Sequence, residues 1–247
     1  MEFDRYIGSV SLKEPLPEDS YLKKLPIVKH LEREPIEFKS RVSFIVGENG
    51  SGKSTLVEAI AAAFGFNPEG GSLNFSFETK ATHSELYKHL RLTKYLRPKD
   101  GFFLRAESFY NAVSYIDELD EIPSAAPPIW DSYGGVSFHQ MSHGEGFMKL
   151  VTNRFSGHGL YILDEPEAAL SPMRIMSLIC EIDRLAKLDS QFIIATHSPM
   201  LMAFPDAEVL NITDNGLTRV SYRDTEHYRL MRHFLENPER MLDYLLN

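Results

Sequence analysis

Residues 47–54 read Gly-Glu-Asn-Gly-Ser-Gly-Lys-Ser, the spacing G-x-x-x-x-G-K-[ST], and this short stretch constrains the fold more than any other in the chain. Its flanks fit the same reading. Residues 41–46, Arg-Val-Ser-Phe-Ile-Val, are β-branched and apolar, as a buried strand requires, and residues 55–64 form a strong helix-forming run. Strand, glycine loop and helix in that order describe a phosphate cradle. Gly47, Gly50 and Gly52 lack Cβ atoms, so backbone N–H groups of Asn49, Ser51 and their neighbours can wrap an anion closely. The helix N-terminus at Lys53, Ser54 and Thr55 adds positive dipole. Lys53 would reach the β- and γ-phosphates of a nucleotide, and Ser54 would hold Mg²⁺.

Composition sets outer limits. The 247 residues suffice for one large α/β domain, with an ordinary hydrophobic share of 43%. A net charge of −9 argues against a nucleic-acid grip spread over the whole surface and predicts weak, salt-sensitive DNA binding at most for the isolated chain. The single cysteine, Cys180, excludes an internal disulfide and is expected in the core of a helix. No apolar run is long enough for a membrane span and the N-terminus carries no signal-peptide pattern, so a cytoplasmic, reduced setting is expected.

Along the chain, residues 1–40 read as a β-rich preface punctuated by prolines. After the loop and its helix come an expected strand at 72–80, a helix at 83–96, a strand at 101–106, a helix at 108–119 and a Pro/Ser/Gly-rich loop at 121–137. Ser142 and Glu145 form a capping-box pattern that opens a helix reaching about 155. Residues 160–163 and 192–195 read as buried strands, with a Pro172-initiated helix between them. Residues 214–216 read as a hairpin turn, and 225–246 as two amphipathic helices split at Asn237-Pro238.

Asp164-Glu165 follows directly on the strand 160–163. Ligands of open α/β sheets bind beyond the carboxyl ends of the strands, so this pair is placed for chemistry. Asp164 is placed to hold Mg²⁺ directly or through water, and Glu165 to orient or deprotonate an attacking water. A solvated acidic turn is the competing reading. His197 ends the next buried strand and would reach a terminal phosphate from there; a solvated or structural histidine is the alternative.

Together these pieces resemble the ATP-binding-cassette ATPases, in the soluble branch that includes the SMC and RecF-type ATPases and small stand-alone bacterial members. The likeness covers about residues 41–222. Gly47 to Ser54, with Thr55, match Walker A. Residues 160–166 match Walker B with its catalytic Glu165, residues 168–171 match the D-loop, and His197 matches the switch histidine. Met141-Ser142-His143-Gly144-Glu145 matches the family signature Leu-Ser-Gly-Gly-Gln loosely, with His143 where the family has glycine. The Q-loop glutamine is missing: the two glutamines, Gln140 and Gln191, stand elsewhere, and Glu107 occupies its place after the strand 101–106. A carboxylate there would contact Mg²⁺ or its water, or else simply charge the first turn of the next helix. Tyr21, His30 and Phe38 are candidates for stacking on adenine, each also readable as core or surface.

The resemblance implies an α/β P-loop NTPase: an ABC-type ATPase head with a mixed, largely parallel core sheet, an N-terminal β-rich portion and a small helical lobe. Residues 1–66 and 156–247 would form the nucleotide-binding core and 67–155 the helical lobe with the signature. It further implies ATP and Mg²⁺ as cofactors, catalysis by Lys53, Glu165 and His197, and metal binding by Ser54, Asp164 and Glu107. A second copy would close the site head-to-tail, contributing Ser142 and Gly144. Three functions fit: a soluble ATPase working as an ATP-gated dimer in DNA maintenance, defence or a toxin-like pair, the nucleotide-binding subunit of a transporter, and a regulatory ATP-binding module with negligible turnover. The missing Q-loop glutamine argues against the transporter, and intact Lys53, Asp164, Glu165 and His197 argue against the silent module.

Overall fold

The computed structural model describes residues 5–72, 84–107 and 141–247. In chain order the elements are β1 (Ile7–Leu12), α1 (Pro26–Leu31), β2 (Ile36–Glu37), β3 (Val42–Gly47), α2 (Lys53–Phe64), β4 (Gly71–Ser72), α3 (Leu86–His89), β5 (Leu90–Lys94), β6 (Asp100–Arg105), α4 (His143–Arg154), β7 (Gly159–Asp164), α5 (Pro172–Lys187), β8 (Gln191–Ala195), α6 (Pro199–Met202), β9 (Glu208–Thr213), β10 (Gly216–Val220), α7 (Glu226–Glu236) and α8 (Pro238–Leu246). Seven strands form one sheet in the order β10-β9-β3-β8-β7-β6-β4. The inner five run parallel, and β10 and β4 are antiparallel at the edges. A second, antiparallel sheet has the order β2-β1-β5.

The central strands are apolar at nearly every position because helices cover both faces of the sheet. Alternation sorts their side chains. Ile45, Ile162, Ile193 and Leu210 face one cluster, with Leu56, Val57 and Ile60 of α2 and with Ile7 and Val10 of β1. Phe44, Val46, Leu163 and Ile194 face the other, with Phe147 and Leu150 of α4 and Leu178, Ile182 and Leu185 of α5. Helix α2 is therefore sandwiched between the two sheets, with its N-terminus at the carboxyl end of β3. Gln191 fastens the small sheet to the large one. Its buried amide accepts from the N–H groups of Tyr6 (2.7 Å) and Ile7 (2.8 Å) and donates to the Ile7 carbonyl (2.9 Å).

Some expectations fall. The helix expected at 83–96 is helical only over Leu86–His89; Leu90–Lys94 turns into a strand paired with β1. Leu-Arg-Leu-Thr-Lys alternates, and Leu90 and Leu92 pack on the first cluster, so sheet pairing overrides the helical spacing. Cys180 is exposed, on the outer side of the α5 stripe formed by Ile175, Leu178, Ile182 and Leu185. The preface holds helix α1, opened by Pro26, as well as strands. Strand β6, expected within a helical lobe at 67–155, is an interior strand of the main sheet. The rest of the expected strand at 72–80, the helix at 108–119 and the loop at 121–137 lie outside the described residues.

Candidate functional site at the carboxyl end of the sheet

Three strands deliver the site. β3 runs into the 47–54 loop, β7 ends at Asp164, and β8 ends just before Thr196 and His197. The loop needs its glycines for two different reasons. Gly47, Gly50 and Gly52 all have positive φ (149°, 81° and 95°). A Cβ at Gly47 would also stand 2.6 Å from the Ile212 carbonyl, so that turn lies hard against β9. Lys53 is 4% exposed and its Nζ donates to the carbonyls of Gly47 and Glu48, both at 2.9 Å. Burial lowers its pKa, opposed by Glu165, Asp164 and Glu167. Ser54 and Thr55 sit half-buried on the first turn of α2. Gly47, Asn49, Gly50 and Ser51 line a cleft of about 450 Å³, whose far wall is Asn211, Thr213, Asp214 and His227.

Asp164 is 3% exposed, and burial pushes its carboxyl up to about 6 although the Ser54 hydroxyl bonds to it and Arg105 lies nearby. Ser54 of the glycine loop and Asp164 at the end of β7 are thus neighbours. The parallel register sets Arg105 of β6 opposite Asp164 of β7. Arg105 Nε lies 3.3 Å from Asp164 Oδ2, an ion pair without hydrogen-bond geometry. The same guanidinium reaches Glu58 at 3.0 Å and Glu107 at 3.5 Å. The Glu107 side chain is 79% exposed and meets the site through Arg105, not through Asp164.

Glu165 adopts φ 48°, ψ 52°, the left-handed region that costs a non-glycine residue roughly 1–2 kcal/mol. That twist takes the chain out of β7 and leaves Glu165 Oε1 3.5 Å from His197 Nε2. Glu167 holds the histidine loop: its buried Oε1 accepts from Thr196 Oγ1 (2.7 Å), His197 N (2.5 Å) and Ser198 N (3.1 Å). Burial, then the Lys53 charge and His227, pull His197 down to about 4, so the ring is neutral near pH 7.

Among the described residues, the buried side-chain polar atoms without a hydrogen bond are Ser51 Oγ, Arg105 Nε, Asp164 Oδ1, Glu167 Oε2 and His197 Nε2. All belong to this end of the sheet. Unmatched buried polar atoms are costly unless a ligand completes them. The unmatched Asp164 Oδ1, on the carboxylate that Ser54 bonds, and the Ser54 hydroxyl are hard oxygens that fit Mg²⁺, and the glycine loop fits phosphate oxygens.

The remaining expected residues lie apart. Ser142 caps α4 and is exposed; its N–H (3.2 Å) and hydroxyl (2.8 Å) both donate to Glu145, and Arg174 reaches its Oγ at 3.1 Å. Gly144 is buried, and a Cβ there would meet Arg174 and, at 2.8 Å, the Ala169 carbonyl. His30 and Phe38 are buried and Tyr21 is exposed; none lines the cleft. The sequence reading missed Arg105, Glu58, Glu167 and His227. Arg105 ends a strand that the sequence does show, but its place beside Asp164 depends on the β6–β7 register; His227 carried no signal.

Comparison with known proteins agrees with this geometry. Residues 27–101 match an AAA domain family, and residues 128–203 match another described as "AAA domain, putative AbiEii toxin, Type IV TA system". No curated protein sequence matches the chain. A chain of "a putative metal-chelate type ABC transporter" in an inward-facing conformation superimposes with a TM-score of 0.50 at 14% identity, covering 92% of this chain and 88% of that one. The SMC head domain from Thermotoga maritima gives 0.44 at 17% identity, covering 88% and 99%. The cbiO1 protein from Clostridium perfringens, part of an ABC transporter complex, gives 0.46 at 17%, covering 87% and 91%. Two AAA-domain models thus match the segments that carry the glycine loop and Asp164, Glu165 and His197, on an α/β P-loop fold shared with an ABC transporter chain.

Proposed function

We propose that the chain binds and hydrolyses Mg-ATP at the carboxyl end of its parallel sheet, and that a second copy completes the site in a head-to-tail dimer. The observation that carries this reading is the gathering of unmatched buried polar atoms around the 47–54 loop. Lys53 and the loop N–H groups would bind the phosphates. Ser54 and Asp164 would hold Mg²⁺, which supplies charge neutralisation to the phosphates when bound. Glu165 would take the proton of the attacking water, and neutral His197 would donate a hydrogen bond to the terminal phosphate. Glu107 would assist through the metal's water. No helix among the described residues is long and apolar enough to cross a membrane, and a cytoplasmic setting fits the lone, exposed cysteine.

The second copy enters through Ser142 and Gly144. The N-terminus of α4 is exposed at Ser142, and its partners are neighbours on its own chain. A bound anion would suit its dipole. The description of the family matched at 128–203, a putative toxin of a type IV TA system, supports a role in a toxin-like pair with a partner protein.

Lys53→Ala tests the loop: Mg-ATP affinity should fall by about 100-fold or more, because a desolvated triphosphate loses its nearest cation. Unchanged affinity would remove the assignment. Sizing of Glu165→Gln protein tests the dimer. It should dimerise only with Mg-ATP, and adding Ser142→Arg should return it to monomer. A monomer under saturating Mg-ATP, or a dimer indifferent to the arginine, would exclude this interface.

A further inference from the structure

His227 belongs to no motif, yet it touches the site. It is the second residue of α7, and its Nε2 lies 2.7 Å from Nδ1 of His197, with the ring centroids 4.5 Å apart at 58°. At that distance one ring nitrogen donates its proton and the other accepts it. If His197 Nδ1 donated, its Nε2 would be a bare lone pair facing the Glu165 carboxylate at 3.5 Å. Two acceptors would then oppose each other in a buried place where Nε2 has no other partner. If His227 Nε2–H donates instead, the proton of His197 sits on Nε2. That N–H is attracted to Glu165 and is free to serve a phosphate oxygen when nucleotide enters. The second arrangement is the one the surrounding charges favour.

We infer that His227 is a positioning residue: its hydrogen bond to Nδ1 holds His197 as the Nε2–H tautomer, aimed at the reacting end of the bound triphosphate. The ring is well placed for this. Thr225, 1% exposed, fixes the start of α7 by donating to the Tyr222 carbonyl (2.6 Å) and accepting from Tyr228 N (3.4 Å). His227 also lines the cleft beside residues 47–51, so the first turn of α7, the glycine loop and the histidine loop meet in one place. The depressed pKa of His197 keeps the ring in the neutral form that this arrangement needs.

The kinetic consequence rests on the proposed ATP hydrolysis; the tautomer does not. The test uses the full chain with His227→Phe, which keeps a ring but no donor, and His227→Gln, whose amide N–H can donate to Nδ1. Nitrogen-15 spectra, with His197 assigned by loss of its signals in His197→Asn, read the tautomer without nucleotide. The wild type should show Nε2–H at His197, and His227→Phe should shift it toward a mixture. In steady-state assays His227→Phe should lower kcat about tenfold with KM changed less than about twofold, the size expected for one hydrogen bond. His227→Gln should recover to within about threefold of wild type. An Nδ1–H tautomer in the wild type, an unchanged tautomer or wild-type kcat in His227→Phe, or a glutamine variant as slow as the phenylalanine one would each overturn the inference. A wild type that binds but never hydrolyses ATP would count against the proposed function; the spectra alone would then decide for or against the role of His227.

Discussion

Asp100 opens β6 and Asp164 closes the neighbouring β7, so two largely buried aspartates stand at opposite ends of one parallel strand pair. Asp100 accepts from Arg154 Nη1 (2.7 Å), Ser156 N (3.0 Å), Ser156 Oγ (3.1 Å) and the Tyr161 hydroxyl (2.8 Å). Burial works against its charge, but Arg154 and these donors outweigh it, and its pKa falls below the ordinary value. Asp164 is buried too, yet its Oδ1 has no partner and its pKa rises to about 6. Residue type and burial are shared; the supply of donors is not. The amino end of the sheet satisfies its own charges and serves the fold. The carboxyl end leaves its polar atoms open, at a cost in stability that a ligand can remove.

The largest effects should separate the two ends. Glu165→Gln should lower kcat by about 10²–10⁴-fold while ATP still binds, because the amide cannot take a proton. Asp100→Ala should do the reverse. It should lose about 3–5 kcal/mol of stability by removing the Arg154 ion pair together with the acceptor of Ser156 and the Tyr161 hydroxyl, with KM and kcat little changed where the protein is still folded. Denaturant melts and steady-state kinetics on both variants check this. An Asp100→Ala protein with normal stability and altered KM would break the comparison, as would a Glu165→Gln protein with wild-type turnover.

The sequence shows these ends unequally. The glycine loop, Asp164-Glu165 and His197 could be read because each lies in or directly after an apolar strand, and a parallel sheet gathers such strand ends. The split at Asn237-Pro238 and the Asp214–Gly216 turn were legible because local chemistry fixes them. What stayed hidden depends on contacts between distant segments. Leu90–Lys94 became a strand because β1 was there to pair with. Arg105 joined the site through strand register, and His227, 30 residues after His197, through the packing of its helix. Cys180 was misjudged because an apolar run on a helix does not say which side faces outward.

A smaller effect tests the sign of the comparison. Asp164 has a folded pKa of about 6, above its unfolded value, so its stabilising contribution is complete below the unfolded value and is lost as pH rises through about 6. At pH 7 the buried charge should cost the nucleotide-free protein roughly 3 kcal/mol, part of which Asp164→Asn would recover. Asp164→Asn should therefore melt higher than wild type at pH 7. The gain should be about 2–4 °C for each kcal/mol recovered, and it should shrink as pH falls from 6 toward 4. Asp100 has the opposite sign: its contribution is present above the unfolded value and lost only as pH falls through its lowered folded value. Melting curves without nucleotide or Mg²⁺, at several pH values, check both. An Asp164→Asn protein less stable than wild type at pH 7 would mean that Arg105 and Ser54 already satisfy this carboxylate.

The smallest expected effect concerns Glu107, whose exposed carboxylate pairs with Arg105 at 3.5 Å. An exposed ion pair contributes about 0–1 kcal/mol, so Glu107→Ala should leave stability nearly unchanged. Its Mg²⁺ titration should nevertheless shift, with a half-saturating concentration about two- to threefold higher and slightly slower turnover. Two routes lead there. Glu107 can hold a metal-bound water directly, or it can draw the Arg105 charge away from Asp164 and leave that carboxylate freer for a cation. The routes separate in an Arg105→Gln background. A direct contact would still be lost on adding Glu107→Ala, so the Mg²⁺ shift would persist. A contact made through Arg105 would already be absent, and the second substitution would change nothing. An unaltered titration in both backgrounds would leave Glu107 as a surface charge and confine the open end of the sheet to Asp164, Glu165 and His197.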